Sequence, residues 1–599
     1  MMESRTEFGD VRFVSRKGEQ LYQRPETVVT ARTLDEVQPA MARVQRAVAG
    51  GAHAAGFISY EAAPAFDPVL EVHAPGRPPL MWMGLYNEVT HTPWQAPERP
   101  VEVGPWERMI SREVYEGAIR AIRDYIAAGD TYQVNFSFPL AAPFHGDPLA
   151  WFYQLCAAQK GDYNAYVDAG PFKVLSASPE LFFHAKGEEL TVRPMKGTAP
   201  RGLYSAQDKG QAEALANSEK NRAENLMIVD LLRNDLGRVC RIGSVSTPTL
   251  FEVERYETVW QMTSTVTGRT DASVPEVLNA LFPSGSVTGA PKARTMEIIR
   301  ELEAYPRGVY CGAMGWWAPS GEASFNVAIR TVTVETERQE ARYHVGGGIV
   351  WDSTAGGEYE ECQTKTAFLS RHAPRFSLLE SLRWDEAGYF LYDFHLERLR
   401  QSADYFGIDA DWAAVEGWLK EEAARLTAAG TPHKVRLLVD QAGDCAVESA
   451  PLRELPPLAL TVGLAVEPVD SENVFLYHKT TKRDMYERAR AQRPACDDVI
   501  LWNERGELTE STMANLVCEM EGILWTPPVD AGLLAGCFRR HLLDMGVIKE
   551  RTLAKDDLEQ AEGIWLINSV RRWIPVEWVS QRESGAGGKR TGSGPEAQR

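Results

Sequence analysis

The sequence predicts two mixed α/β domains in tandem, and three observations carry that reading. Its 599 residues exceed what one hydrophobic core accommodates. Stretches of helical period alternate with short runs of strand period along most of the chain. Around residues 371–375 the segment RHAPR breaks this pattern, and FSLLESLRW opens a new strand-rich section. The boundary is set there, giving domains over residues 1–371 and 376–581. Residues 582–599 are Gly, Ser and charge without apolar anchors, which predicts a disordered tail.

Residues 1–105 mix strand-like runs such as MWMGLYNEV with Pro-rich breaks, and no function is read from them. Next, SREVYEGAIRAIRDYIAAGD places Ile119, Ile122, Tyr125 and Ile126 at helical spacing, and TYQVNFSFPL alternates as a strand does. A helix is expected over 212–232, and strands over 323–333 and 343–350. A glycine turn and a polar helix over 358–369 complete the first domain. In the second, LLES at 378–381 reads as a strand.

Composition limits the function classes. Hydrophobic residues make up 44% and charged residues 25%, as in soluble globular domains. The formal charge of −19, from 64 basic against 83 acidic residues, argues against a nucleic-acid or anionic-membrane surface. Eight cysteines form no CxxC pair, which suggests neither a zinc nor a disulfide framework and fits a reducing cytoplasm. No leader or long apolar run is seen, so no membrane association is expected.

In GGGIVWDSTAGGEYEECQTKTAFL, Glu358, Glu361 and Lys365 stand at i, i+3 and i+7, on one face of a helix. Two such carboxylates suit magnesium, which takes a few carboxylate oxygens and keeps waters for a ligand. An isolated ExxE is more often a solvated face, so context decides. That context is SASPELFF, RPMKGTAPRG, SEKNRAENLMIVDLLRNDLGRV, FPSGSVTGAPKARTMEII and FNVAIRTVTV upstream.

Together these motifs, over about residues 110–371, resemble the chorismate-utilising enzymes. The resemblance implies a large α/β domain of two packed sheets that binds chorismate with magnesium. By motif, Glu224, Glu358 and Glu361 would ligate the metal. Arg330 would clamp the enolpyruvyl carboxylate, for which a guanidinium fork is the matching donor. Thr288, Gly289 and Gly346, Gly347 and Gly348 would offer hydroxyl and N–H groups, with Lys365 adding positive charge.

One position separates branches of the family. Anthranilate-forming relatives carry Ala in a PIAGT motif, whereas this sequence has Lys196 in PMKGT, the mark of the aminodeoxychorismate synthase branch. The resemblance implies attack of this amine at C2 of chorismate with loss of the C4 hydroxyl, followed by ammonia entering at C4 and expelling the lysine. Such a lysine must be partly neutral, as burial beside other cations favours. Glu180, in SPE, would protonate the departing hydroxyl. Gln261 stands where anthranilate-forming relatives have His, and a Gln cannot titrate near neutral pH. No GxCxG-like amidotransferase nucleophile is seen, which implies a separate glutamine amidotransferase as the ammonia source.

The later section holds DFHLERLRQSADYFG, HKTTKRDMYERAR, NERGELTESTMANLV, LLAGCFRR and WLINSVRRWIPV in order. These resemble class IV pyridoxal-phosphate enzymes over about residues 376–580, which implies a fold of two α/β subdomains, with a homodimer through this domain as one expected assembly. By motif, Lys479 would carry the cofactor, on a helix with Arg483 four residues later, and Glu510 would pair with the pyridine nitrogen. Arg398 and the N–H groups of Cys537 and Phe538 would hold the phosphate, although Phe538 replaces a Thr common in branched-chain aminotransferases. Lys482 is the rival lysine, nearly one helical turn away. The fusion favours a lyase that releases pyruvate and 4-aminobenzoate for folate synthesis. The alternative is anthranilate synthase component I joined to a class IV amino-acid transaminase, and a chorismate sensor without turnover is a third reading. LLES resembles a tryptophan-binding motif of anthranilate synthases, but its place at the start of the second domain predicts no tryptophan site there.

Overall fold

The computed structural model describes residues 8–94, 96–97, 99–370, 374–427, 430–453 and 459–579, so the expected 582–599 tail lies outside the described residues. The chain separates into two compact units, one over Met1–Arg201 and Gln211–Ala373, the other over Gly202–Gly210 and Pro374–Arg599.

The first unit is built on two large antiparallel sheets. One has the order Gly289–Ala290, Gln133–Gly146, Glu340–Ile349, Thr331–Glu335, Phe172–Ser176, Asn164–Ala169, Val11–Ser15, Gly18–Tyr22, Thr90–Thr92. The other runs Met195–Pro200, Val259–Arg269, Glu189–Arg193, Leu181–Lys186, Ala323–Val327, Ala313–Trp317, His53–Ile58, Met81–Tyr86, Thr27–Ala31. Residues before 105, from which no function was read, therefore extend both sheets.

The long strand Gln133–Gly146 shows how pattern becomes layer. Val134, Phe136, Phe138 and Leu140 enter the core that also holds Ile119 and Ile122 of helix Arg112–Ala128. Gln133, Asn135 and Ser137 alternate with them and are also buried, so this strand is covered on both faces. Ser111 caps the helix by accepting from Val114 N at 3.3 Å, and Gly129 closes it at φ +80°.

Three expected elements differ. The 212–232 helix is two, Ser205–Ala216 and Glu219–Gly237, because Ser218 accepts from Asn221 N and restarts the turn. The 323–333 strand is also two: Ala323–Val327 and Thr331–Glu335 lie in different sheets, and the chain crosses between them at Arg330, with φ +49°. The polar helix begins earlier, at Ala355–Thr366, and tightens into a 3-10 turn at Ala367–Ser370.

The second unit holds two α/β parts. A four-stranded antiparallel sheet contains Leu378–Asp385, the strand expected for LLES, with helices Tyr392–Phe406 and Trp412–Thr427. An eight-stranded sheet is mixed, since Leu460–Leu464 runs parallel to Asp498–Trp502 and Arg572–Trp578. Among the described residues no helix is long and apolar enough to cross a membrane.

Candidate active sites

Lys196 lies on the strand Met195–Pro200, paired through Met195, Thr198, Ala199 and Pro200 with Val259–Arg269. Gln261 locks this pairing: its Nε2 donates to Gly197 O at 2.9 Å and its Oε1 accepts from Thr198 Oγ1 at 3.0 Å. Helix Glu219–Gly237 adds Asn225, whose amide donates to Lys196 O at 3.2 Å. The backbone of the lysine is thus fixed from two sides.

Its amine reaches the glycine run on Glu340–Ile349. A β-carbon at Gly348 would stand 2.7 Å from Lys196 Nζ, and one at Gly347 would stand 3.1 Å from Glu358 Oε2 and 3.7 Å from Lys365 Nζ. The glycines act as bare floor on which lysine and carboxylates converge. Burial pushes the Lys196 amine below its ordinary range and Lys365 adds to this, while Glu224, Glu180 and Glu361 oppose it.

Glu180 is buried and its carboxyl is pushed up to about 7 by desolvation, with Ser286 and Lys196 working against the shift. Ser286 Oγ donates to Glu180 Oε1 at 2.5 Å. A carboxyl at this value is about half protonated near neutral pH, and the protonated form can give its proton to a leaving oxygen.

The acidic face comes together as well. Glu358 is raised by burial, with Glu361 and Glu224 adding to the effect, and it accepts from Ser353 at 2.6 Å. Burial opposes ionisation of Glu361, yet Lys365, at 2.7 Å, holds it below its ordinary value. Lys365 Nζ also donates to Gly346 O at 2.8 Å. Carboxylates that raise one another are of the type a hard cation suits, although among the described residues only Glu380, His395 and Cys537 bring three ligand-type atoms within 4.8 Å of one another.

Arg330 has no carboxylate partner among the described residues; its guanidinium donates to Gln159 Oε1, and burial lowers its pKa. It therefore fits an incoming carboxylate. The Thr288 hydroxyl donates to Ser284 O at 3.2 Å within its own turn. Gly289 pairs with Val134 at φ +145°, where a β-carbon would strike Gln133 O at 2.0 Å.

Sequence reasoning missed Gln133. Its side-chain amide is buried with no hydrogen-bond partner at either atom, and its Nε2 would stand 2.9 Å from a Gly348 β-carbon, beside Lys196. The signal was present in YQVNFS, where polar residues alternate on one face of a strand otherwise apolar.

In the second unit, Lys479 is not on a helix. It lies in an extended segment whose carbonyl accepts from Leu379 N at 2.9 Å, and the helix begins only at Asp484–Ala491. Lys482 pairs with Asp484 at the start of that helix. Lys479 is lowered to about 8, first by burial and then by Arg398, with Arg483 contributing and Glu380 and Glu510 opposing.

Glu510 is buried and raised to about 7 by desolvation. Tyr486 OH donates to it at 2.8 Å, Asn515 Nδ2 at 3.2 Å and Leu534 N at 3.3 Å. Arg398 is held by Glu380, which receives its Nε at 2.9 Å and Nη2 at 2.6 Å, and His395 Nδ1 lies 2.7 Å from the same carboxylate. Burial raises Glu380, but Arg398 and His395 bring it down to about 2. Cys537 and Phe538 open helix Cys537–Asp544, so their N–H groups are free of intrahelical partners. The Phe538 ring packs on Phe390 at 5.8 Å and Trp573 at 6.3 Å, which leaves its backbone alone to serve a ligand. Glu380, His395 and Cys537 bring ligand-type atoms within 4.8 Å of one another, but both Glu380 oxygens are already engaged by Arg398, one of them also by His395.

The chain matches the family model of the chorismate binding enzymes over residues 1–371 and that of the class IV amino-transferases over residues 377–579. Aminodeoxychorismate synthase component 1 of Klebsiella aerogenes is 44% identical over 258 residues, 43% of this chain and 57% of that protein. Anthranilate synthase component 1 1 of Haloarcula marismortui is 40% identical over 270 residues, 44% of this chain and 55% of that protein. Anthranilate synthase component I of Streptococcus pneumoniae TIGR4 superposes with a TM-score of 0.52 at 25% identity, over 62% of this chain and 94% of that one. The chain spans between 39% and 60% of the length of the aminodeoxychorismate synthase relatives it matches. By its first 371 residues the chain belongs to the chorismate binding enzymes, and its later section is a class IV amino-transferase domain.

Proposed function

We propose that the chain makes 4-aminobenzoate from chorismate in two steps, one in each unit. The observation that carries this reading is the Lys196 amine lying on bare glycine among Glu180, Lys365, Glu224 and Glu361. A lowered lysine beside a raised carboxyl is a nucleophile with its acid. Lys196 attacks C2, Glu180 gives its proton to the departing C4 hydroxyl as water, and ammonia then adds at C4 as the lysine leaves. Glu224, Glu358 and Glu361 would hold magnesium, which neutralises the ring carboxylate, and Arg330 would take the enolpyruvyl carboxylate. Ammonia would come from a separate glutamine amidotransferase.

The residues of the second unit fit pyridoxal phosphate: an amine, a buried carboxyl for a ring nitrogen, and a guanidinium beside an open helix start. When bound, this cofactor withdraws electrons from the carbon bearing the substrate nitrogen. Lys479 would take the C4 proton, Glu510 would hold the pyridine nitrogen, and Arg398 with the Cys537 and Phe538 N–H groups would anchor the phosphate, so that pyruvate can leave as the ring aromatises.

Supplying the pure chain with chorismate, ammonium, magnesium and pyridoxal phosphate tests both steps. The expected products are 4-aminobenzoate and pyruvate. Anthranilate as the main product would transfer the first unit to the branch of the Haloarcula relative.

A further inference from the structure

One buried ion pair in the first unit touches no expected ligand yet grips the segments that carry the site. Arg307 and Glu303 are both almost fully buried, and Glu303 receives Nη2 at 2.7 Å and Nε at 2.9 Å. The guanidinium also donates to two backbone carbonyls, Val287 O at 2.8 Å and Asn135 O at 2.6 Å. Glu303 Oε1 also accepts from Ser137 N at 2.8 Å and Ser137 Oγ at 2.9 Å. Below, Glu61 receives Arg307 N at 2.7 Å and Gly308 N at 2.9 Å, and the guanidinium lies 4.6 Å from the Tyr60 ring.

The two gripped carbonyls are one and two residues from groups in the site. Val287 follows Ser286, the donor to Glu180. Asn135 follows Gln133 by two, so their side chains share a face, and Gln133 abuts the Lys196 amine. Asn135 N donates in turn to Thr288 O at 2.8 Å, which closes a ring of bonds through turn, strand and ion pair. Burying this pair is costly, and a hydrophobic pair of similar volume would be a simpler core.

We propose that the Glu303–Arg307 pair is a positioning device for the first site, fixing the Ser286 turn against Glu180 and the Gln133 strand against Lys196. This rests on the reading of Glu180 as proton donor. Ser286 stabilises the charged carboxylate, so loss of its hydrogen bond raises the Glu180 pKa and carries the alkaline limb of the rate to higher pH.

The test follows chorismate consumption by the full chain with magnesium from pH 6 to 9, at constant free ammonia. Ser286→Ala should move the alkaline limb upward by about one unit. Arg307→Met should move it in the same direction and lower kcat by about 10- to 100-fold with KM little changed. The double variant should add no more in limb or kcat than Arg307→Met alone. A folded Arg307→Met enzyme with the wild-type limb and kcat, or additive effects in the double variant, would overturn the proposal. Should Arg307→Met not fold, Glu303→Gln carries the test, because it keeps the volume and weakens the grip; an unmoved limb and kcat there overturns the proposal equally. Glu180→Gln must abolish the limb. If the limb persists, the role of Glu180 fails, while the positioning claim stands or falls by the coupling of Arg307 and Ser286 in kcat.

Discussion

The Lys196 amine lies so close to Gly348 that a β-carbon there would come within 2.7 Å of Nζ. The atoms struck are the ends of two side chains, Lys196 Nζ and Gln133 Nε2 at 2.9 Å, and both yield by moving away. Gly348→Ala should therefore leave thermal stability near wild type and lower the synthase rate by about 100-fold or more, because a nucleophile displaced by an ångström loses its attack geometry. Parallel melting curves and chorismate assays check this, and a variant with wild-type rate would separate Gly348 from the site.

Lys196→Ala should abolish amination at C4 while the second unit still cleaves supplied aminodeoxychorismate. A trace of anthranilate agrees with the proposal, since the change restores the Ala of that branch. Formation of aminodeoxychorismate at a near wild-type rate would exclude the covalent role.

Glu358→Gln and Glu361→Gln each remove a charged oxygen from a hard-cation site and should raise the magnesium needed for half-maximal rate by about tenfold or more. An unchanged magnesium titration in both variants would return the helix to a solvated face.

Stability should carry the mark of Glu180. Its folded pKa of about 7 lies above the ordinary 4.5, so the folded chain holds a proton that the unfolded chain has released between these values. Stability contributed by this group is full below pH 4.5 and is lost as pH rises toward 7. Glu180→Gln, which cannot ionise, should match wild type near pH 4.5 and exceed it at pH 8 by at most about 3 kcal/mol. Denaturant titrations at the two pH values check the sign; equal differences at both would show that Glu180 is not desolvated.

Lys479→Ala should release aminodeoxychorismate in place of 4-aminobenzoate, and Lys482→Ala should work within about twofold of wild type, because a solvent-facing ion pair contributes little. Borohydride reduction of the cofactor-loaded chain should label the Lys479 peptide. Label on Lys482 would reverse the assignment.

Candidates for both sites could be named from one dimension, because chemistry that needs a particular residue type leaves that type in a local motif. Lys196 stands in PMKGT, Glu358 and Glu361 share a helix face and Glu510 stands in LTEST, and the mixed α/β fold class was legible, since helical and strand periods are properties of neighbouring residues. Tertiary structure alone decided the rest. Whether Lys479 sits on a helix depends on a strand bond to Leu379, a hundred residues earlier, and not on local spacing. Arg330 stands where the chain leaves one sheet for the other, an exchange that a continuous β-like run conceals. Gln133 and the Glu303–Arg307 pair acquire meaning only when separate segments exclude water around them, because the cost of burying a polar group is set by what surrounds it in space.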